Sequence, residues 1–135
     1  MPRPLSNRTS FVEPPPGIFT RRKGDEGERL AAVHLKKLGY KIIDTNFHCR
    51  TGEVDIIARH GQVLVFVEDK ARSSERFGTA FEAVDTRKQR RIISAARQWI
   101  AAKRLSDVAI RFDVVAVDMG CNPPSLEVLE AAFDT

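Results

Sequence analysis

Residues 52–70 read GEVDIIARHGQVLVFVEDK, and this stretch decides the fold of the chain. Two mostly apolar runs flank a short connection that contains Gly61, a pattern typical of a β-hairpin. Because side chains alternate along a strand, a loop with an even number of residues puts four charged side chains on one face of the hairpin. These are Glu53, Asp55, Glu68 and Lys70. The side chain of Asp69 then projects from the opposite face.

The register of this hairpin sets the distances between its acids. We expect a register in which Asp55 lies opposite Phe66, and Glu53 then lies opposite Glu68. Opposite and diagonal partners on a sheet lie roughly 4.5–8 Å apart, so such acids repel one another unless a cation compensates them. The pattern predicts a divalent metal site. Two alternatives stay open, because acids at strand ends often simply face water and an odd-length loop turns Asp55 away from Glu68.

The composition is that of one globular domain with a core. The chain has 135 residues, of which 42% are hydrophobic and 30% charged. Its 22 basic and 18 acidic residues leave a net charge of +4, which suits a polyanionic partner. An acidic centre with basic surroundings fits phosphate chemistry, although any single basic residue could equally line a solvated helix face. The basic groups are Arg21, Arg22 and Lys23, then Lys36 and Lys37, then Arg87, Lys88, Arg90 and Arg91.

Two cysteines, Cys49 and Cys121, are too few for a disulfide framework and lack the spacing of a zinc site. Reduced thiols and the absence of an apolar signal segment predict a cytoplasmic protein. No apolar stretch has the length of a bilayer span, so we expect no membrane association.

The chain divides into an arm and a domain. Residues 1–20 contain five prolines among polar residues and show no periodicity, which predicts a disordered N-terminal arm. The domain is predicted to occupy residues 21–135. It begins with a helix at 25–38 that carries Glu28 in its first turn. Glu28 shares a face with the apolar residues of that helix, so it should point where the helix packs, although an acid there can also simply complement the helix dipole.

The remaining pattern predicts an α/β fold, with a mixed sheet flanked by helices. A long helix at 80–104 carries Lys88 and Gln89 on the stripe that faces the sheet, near the acids. Arg72 lies in the loop that precedes this helix and is a candidate phosphate contact. The predicted strands are 40–47, 53–58, 63–70, 111–118 and a short last one at 126–129.

The order of the acids resembles the pattern of the PD-(D/E)XK nucleases. Here an Asp lies on one predicted strand, a Glu-x-Lys on the next, and a Glu on the preceding helix. Over residues 21–133 the order of motifs also resembles the YraN family, which is predicted to be endonuclease-like and is related in fold to archaeal Holliday-junction resolvases. The matching motifs are GDEGE at 24–28, GY at 39–40, GEVDIIA at 52–58, FVEDKAR at 66–72, FG at 77–78, AV at 83–84, Lys88 and RFDV at 111–114.

This resemblance implies a restriction endonuclease-like αβββαβ core and a metal-dependent nuclease. By position, Asp55 and Glu68 would be the metal ligands, with Mg²⁺ or Mn²⁺ as the ion. Lys70 would position or activate the attacking water, and Glu28 would be an accessory carboxylate. Glu53 is a secondary candidate.

The resemblance also implies a nucleic acid partner, with DNA favoured and branched or junction DNA as a candidate substrate. Lys88 or Gln89 would contact phosphate. The side chains expected to bind nucleic acid are those of Arg72, Arg87, Lys88 and Arg90. The alternative function is a non-catalytic nucleic-acid-binding or assembly protein on the same fold, and a homodimer is a further expectation. Asp69 departs from the family pattern, which has an apolar residue there, and we expect solvent to reach it.

Overall fold

The structure, a computed structural model, describes residues 26–72 and 84–135, and of Ala71 and Arg72 it describes only the backbone. The predicted arm at 1–20 and the predicted start of the domain at residue 21 lie outside these ranges. So does much of the loop before the second described helix.

Two helices and five strands make up the described chain, and they confirm the α/β class. Their order corresponds to a restriction endonuclease-like core with one added strand. Neither helix has the length and apolar character that crossing a bilayer requires. The elements are α1 (Glu26–Lys37), β1 (Tyr40–Cys49), β2 (Gly52–His60), β3 (Val63–Arg72), α2 (Thr86–Ala102), β4 (Ala109–Asp118) and β5 (Ser125–Phe133).

The strands form a single mixed sheet in the order β1-β2-β3-β4-β5. Only the β3–β4 pair is parallel, and the other three pairs are antiparallel. A parallel pair needs a crossover between its strands, and α2 lies within that crossover. The core therefore has two halves, one between the sheet and α2 and the other between the sheet and α1. The central residues of β3, from Leu64 to Val67, are fully buried between the two halves.

Two predicted boundaries were wrong. The long helix was predicted from residue 80, but Asp85 has extended backbone angles and its side chain accepts a hydrogen bond from the Lys88 N–H. This is the geometry of an N-cap, so the helix begins at Thr86. Strand β5 is nine residues long and is not the short segment predicted. It pairs with β4 at both ends, with an irregularity between Leu129 and Phe133, and sequence periodicity does not show this tertiary interaction.

The predicted register of the β2–β3 hairpin was wrong by two residues. Phe66 pairs with Ile57, and not with Asp55. The cause is the turn, which consists of residues 61 and 62 only, with Gly61 in the left-handed conformation at φ 63°. Glycine adopts this conformation without steric cost, so a two-residue turn closes the hairpin. The loop still has an even number of residues, so Glu68 and Lys70 share the face of β3 that bears Phe66, opposite Ile57. Beyond Ile56 the alternation of β2 is interrupted, because Val54 packs in the same half of the core as Ile57.

A polar network on the α1 side of the sheet joins four strands around the fully buried carboxylate of Asp113. This carboxylate accepts two hydrogen bonds from the Arg111 guanidinium, one from the Tyr40 hydroxyl at 2.6 Å and one from the Ala131 N–H. The same guanidinium lies 2.8 Å from His60 Nδ1, and the His60 ring stacks on Tyr40. Since every oxygen of the buried acid is paired, the network stabilises the sheet.

We expect Asp113→Asn to lower the free energy of unfolding by about 3–5 kcal/mol, because it leaves the Arg111 charge without its buried partner. Urea unfolding followed by the fluorescence of Trp99, the single tryptophan, measures this. The matched control is Glu130→Gln. Glu130 also faces Arg111, at 3.6 Å, but its side chain is 54% exposed, so its loss should cost about 1 kcal/mol or less. Equal effects of the two changes would contradict a central role for Asp113.

Candidate functional site

Strands β2 and β3 separate at Asp55, and the candidate site lies at this fork. Their regular pairing ends with Ile56 and Val67. Beyond it, the carboxylate of Asp55 takes the place of a backbone acceptor, since its Oδ2 accepts a hydrogen bond from the Asp69 N–H at 2.8 Å. The fork therefore fixes the Asp55 carboxylate beside the end of β3.

Glu68 lies in this fork, and the residue is only 3% exposed. Its Oε2 atom is 3.6 Å from the ammonium group of Lys70 and 3.6 Å from that of Lys88. Its Oε1 atom is buried and has no hydrogen-bond partner in the described ranges. The structure thus brings together Asp55, Glu68 and Lys70 from the hairpin with Lys88 from α2. One carboxylate oxygen stays available for a further electropositive group.

The environment of Glu68 favours its protonated form. Burial, the largest cause, and the nearby charge of Asp55 together raise the pKa of Glu68 to about 8, while Lys88 and Lys70 act in the opposite direction. The two lysines therefore do not offset burial and the neighbouring acid. A divalent cation at the fork would favour the ionised form of Glu68.

The side chains present fit a cation that prefers oxygen ligands, as Mg²⁺ and Mn²⁺ do. Asp55 and Glu68 offer two adjacent carboxylates, and Glu68 Oε1 is an unpaired oxygen donor. Within residues 26–72 and 84–135, no group of three or more His, Cys, Asp or Glu side chains is arranged to hold a metal. The acidic ligands at the fork are thus a pair, and other oxygen donors would complete the coordination.

Glu28 lies on α1 facing the sheet, as its position on the apolar face of the helix predicted. It is half-buried, and its Oε2 atom accepts a hydrogen bond of 2.6 Å from the side-chain amide of Asn46 on β1. Asn46 was not recognised in the sequence, because an asparagine in a strand has no distinctive pattern. This hydrogen bond links Glu28 on α1 to strand β1 of the sheet.

Glu53 lies at the start of β2 and has other partners. Its Oε1 atom is 3.7 Å from the Arg91 guanidinium and 4.0 Å from His48 Nδ1. A Cβ atom on Gly52 would come within 1.8 Å of the Arg91 carbonyl oxygen, so β2 and α2 are in backbone contact here. Sequence reasoning missed the pairing with Arg91, since only the packing of α2 on the sheet creates it.

The predicted residues on α2 differ in their environments. Lys88 approaches the acids as expected. Gln89 instead donates its side-chain amide to the Val84 carbonyl oxygen at 3.0 Å, which stabilises the start of the helix. Arg87 and Arg90 are exposed to solvent. The side chain of Arg72 lies outside the described part of the chain.

Asp69 does not disturb the geometry of β3. The β3–β4 register is unbroken from Val63 to Arg72, so Glu68 and Lys70 keep their common face. The expected solvent access of Asp69 is confirmed only in part, because the residue is half-buried and its Oδ1 atom is enclosed.

This fold and site define an α/β domain with a carboxylate pair at a strand fork, and comparison with known proteins identifies its family. Residues 27–117 match the model described as "Uncharacterised protein family UPF0102". The chain belongs to UPF0102, the YraN family, which confirms the resemblance found in its motifs.

Relatives in several bacteria match over most of their length. A UPF0102 protein of Geobacter sulfurreducens is 47% identical over 112 residues, which cover 82% of this chain and 88% of the relative. A UPF0102 protein of Geobacter metallireducens is 43% identical over 117 residues, covering 87% of this chain and 96% of the relative. One from Clostridium acetobutylicum is also 43% identical over 117 residues, covering 85% and 96%.

Replacing Glu68 with Gln should stabilise the protein in the presence of a chelator, and the gain should grow with pH. The unfolded chain ionises this carboxyl group near its ordinary pKa of 4.5, whereas the folded protein holds the pKa at about 8. The folded state therefore loses stability as the pH rises through this window. Gln resembles the protonated acid and does not ionise, so we expect a gain on the order of 2–4 kcal/mol above the window and little below it.

Urea unfolding of both proteins in EDTA across this pH window measures the gain. The control is Glu127→Gln, which removes an exposed acid from β5. A gain for Glu68→Gln that does not change with pH would contradict the raised pKa of Glu68.

Proposed function

We propose that this protein is a nuclease that hydrolyses phosphodiester bonds with the help of Mg²⁺ or Mn²⁺, and that its substrate is DNA. One observation carries the proposal. The buried carboxylate of Glu68 lies beside Asp55 in the strand fork, with Lys70 and Lys88 near one of its oxygens and, among residues 26–72 and 84–135, no hydrogen-bond partner for the other. A purely structural ion pair would gain nothing from the second buried acid, which raises the pKa of the first.

Each residue of the fork would have a separate role in hydrolysis. Asp55 and Glu68 would hold the cation, which when bound polarises a phosphoryl oxygen and favours ionisation of water. The Lys70 ammonium is partly exposed and lies on the same face as Glu68, where it can orient the attacking water. Lys88 reaches the fork from α2 and can neutralise charge on the phosphate. Burial of the acids excludes bulk water and strengthens these interactions.

The choice of nucleic acid rests on charge and on fold. The exposed guanidinium groups of Arg87 and Arg90 lie on the same helix as Lys88, close to its start, where they can contact the backbone of a bound strand. The similarity to archaeal Holliday-junction resolvases favours DNA, with branched forms as the first candidates. We place this activity in the cytoplasm.

A second candidate function is that of a non-catalytic nucleic-acid-binding or assembly protein. One observation favours it. Lys70 and Lys88 partly neutralise the acids without any metal, and the described chain has no group of three acidic ligands. In such a protein the fork would serve stability or contact phosphates only.

We expect Asp55→Asn and Lys70→Ala each to reduce cleavage at least 100-fold, because one removes a metal ligand and the other the group that orients water. The assay compares linear, flapped, junction and single-stranded DNA and RNA in Mg²⁺, Mn²⁺ or EDTA. Each variant is first tested for folding and for DNA binding. Cleavage that is equal in the wild type and both variants indicates a contaminating nuclease. Binding without metal-dependent cleavage by the wild type would support the second candidate.

Lys88→Ala should lower the cleavage rate about 10-fold, since it removes a positive charge from the fork. The matched control is Arg97→Ala, which removes an exposed charge from the same helix away from the acids. Single-turnover rates at saturating DNA separate this effect from weaker binding. Equal losses in both variants would show that Lys88 acts only through general attraction of the polyanion. It would then have no specific role at the fork.

A further inference from the structure

Asn46 lies at an irregular point of β1, next to the fork. The neighbouring pairs Thr45–Ile56 and Phe47–Val54 place it across from Asp55. Its backbone is in the left-handed region at φ 54°, which interrupts an otherwise extended strand, and its side chain belongs to a residue only 3% exposed. Directly opposite residues on adjacent strands lie about 5 Å apart at their Cβ atoms, so the amide of Asn46 is a neighbour of the candidate metal ligand.

The two ends of this amide have different environments. Its Nδ2 donates to Glu28 Oε2 at 2.6 Å. A carboxylate only accepts hydrogen bonds, so this contact fixes which end of the amide faces α1. The Oδ1 atom then faces elsewhere, and it is buried with no hydrogen-bond partner in the described ranges.

The environment of this residue is therefore unusual in two ways. A buried acceptor without a partner is unfavourable, because it has lost its hydrogen bonds to water. A left-handed residue within a strand is uncommon, although asparagine adopts this conformation more readily than most non-glycine residues. Such features cluster at functional sites. Glu68 Oε1 is a second buried oxygen without a hydrogen-bond partner among the described residues, on the other side of Asp55.

We propose that Asn46 is a cation-binding residue of the fork. Its Oδ1 supplies a neutral oxygen to the hydrated cation held by Asp55 and Glu68, and its Nδ2 anchors Glu28 behind it. This inference rests on the proposed metal dependence and extends it to a residue on a third strand. An amide oxygen adds a ligand without adding negative charge, which matters where two buried carboxylates already lie close together. Glu28 thereby acts on the site through Asn46 as a positioning residue.

The test measures Mn²⁺ binding to the full chain without nucleic acid, from the loss of the electron paramagnetic resonance signal of the free ion. The principal variant is Asn46→Gly, because glycine adopts the left-handed conformation without strain and only the side chain is lost. We expect it to weaken Mn²⁺ binding about 10-fold, and Asp55→Asn to weaken it at least as much. The matched control is Asp107→Gly, which removes an exposed side chain at the similar φ of 58° and should leave binding unchanged.

A second variant separates cation binding from a merely structural role. Asn46→Asp places a charge against Glu28, so it should lower the unfolding temperature in EDTA. Because a carboxylate is also an oxygen ligand, Mn²⁺ should restore much of this loss. A structural role of Asn46 predicts the same loss with and without the ion.

The outcomes distinguish this inference from the proposed function. If Asn46→Gly binds Mn²⁺ as the wild type does while Asp55→Asn does not, the role of Asn46 is overturned and the metal site stands. If the wild type itself binds no Mn²⁺, both the metal site and the role of Asn46 are overturned. Asn46→Gly proteins are compared only after their thermal unfolding in EDTA shows a folded chain.

Discussion

The unequal pairing of strand β3 with its two neighbours is the constraint on which the rest of the structure depends. It is bonded to β4 along its whole length, from Val63 to Arg72, whereas its pairing with β2 ends at Val67. The last part of β3 is thus held rigidly on one side and open on the other. At such an opening a side chain can replace a backbone acceptor, as the carboxylate of Asp55 does for the Asp69 N–H.

Two buried carboxylates of this sheet differ in how they affect the stability of the fold. On the α1 side, the carboxylate of Asp113 has a partner for every oxygen and joins four strands. At the fork, the carboxylate of Glu68 is also buried, but one of its oxygens has no hydrogen-bond partner among the described residues and its pKa is raised. The first arrangement stabilises the fold and the second destabilises it, and this contrast supports the proposal that the fork is the functional site.

Several features of this site could be predicted from the sequence, because they depend on local periodicity. The alternation along β3 places Glu68 and Lys70 on a common face, and the hairpin brings Asp55 of β2 near them. The register could not be predicted, since it depends on the backbone conformation of Gly61. Asn46 could not be recognised either, because its importance comes from a left-handed residue in a strand and from a contact with a helix 18 residues earlier in the chain. The family motifs predict the order of the acids along the chain, but they do not show which side chains contact those acids.

Gly52 has a consequence for how the site can move. Because no side chain separates it from the Arg91 carbonyl oxygen, the start of β2 and the second turn of α2 touch through their backbones. Backbones in direct contact cannot approach further, so α2 cannot move closer to the start of β2. Any side chain larger than a hydrogen atom at this position would push the helix away from the strand. The fold therefore sets a lower limit on the separation of the two backbones, and the long side chain of Lys88 spans what remains.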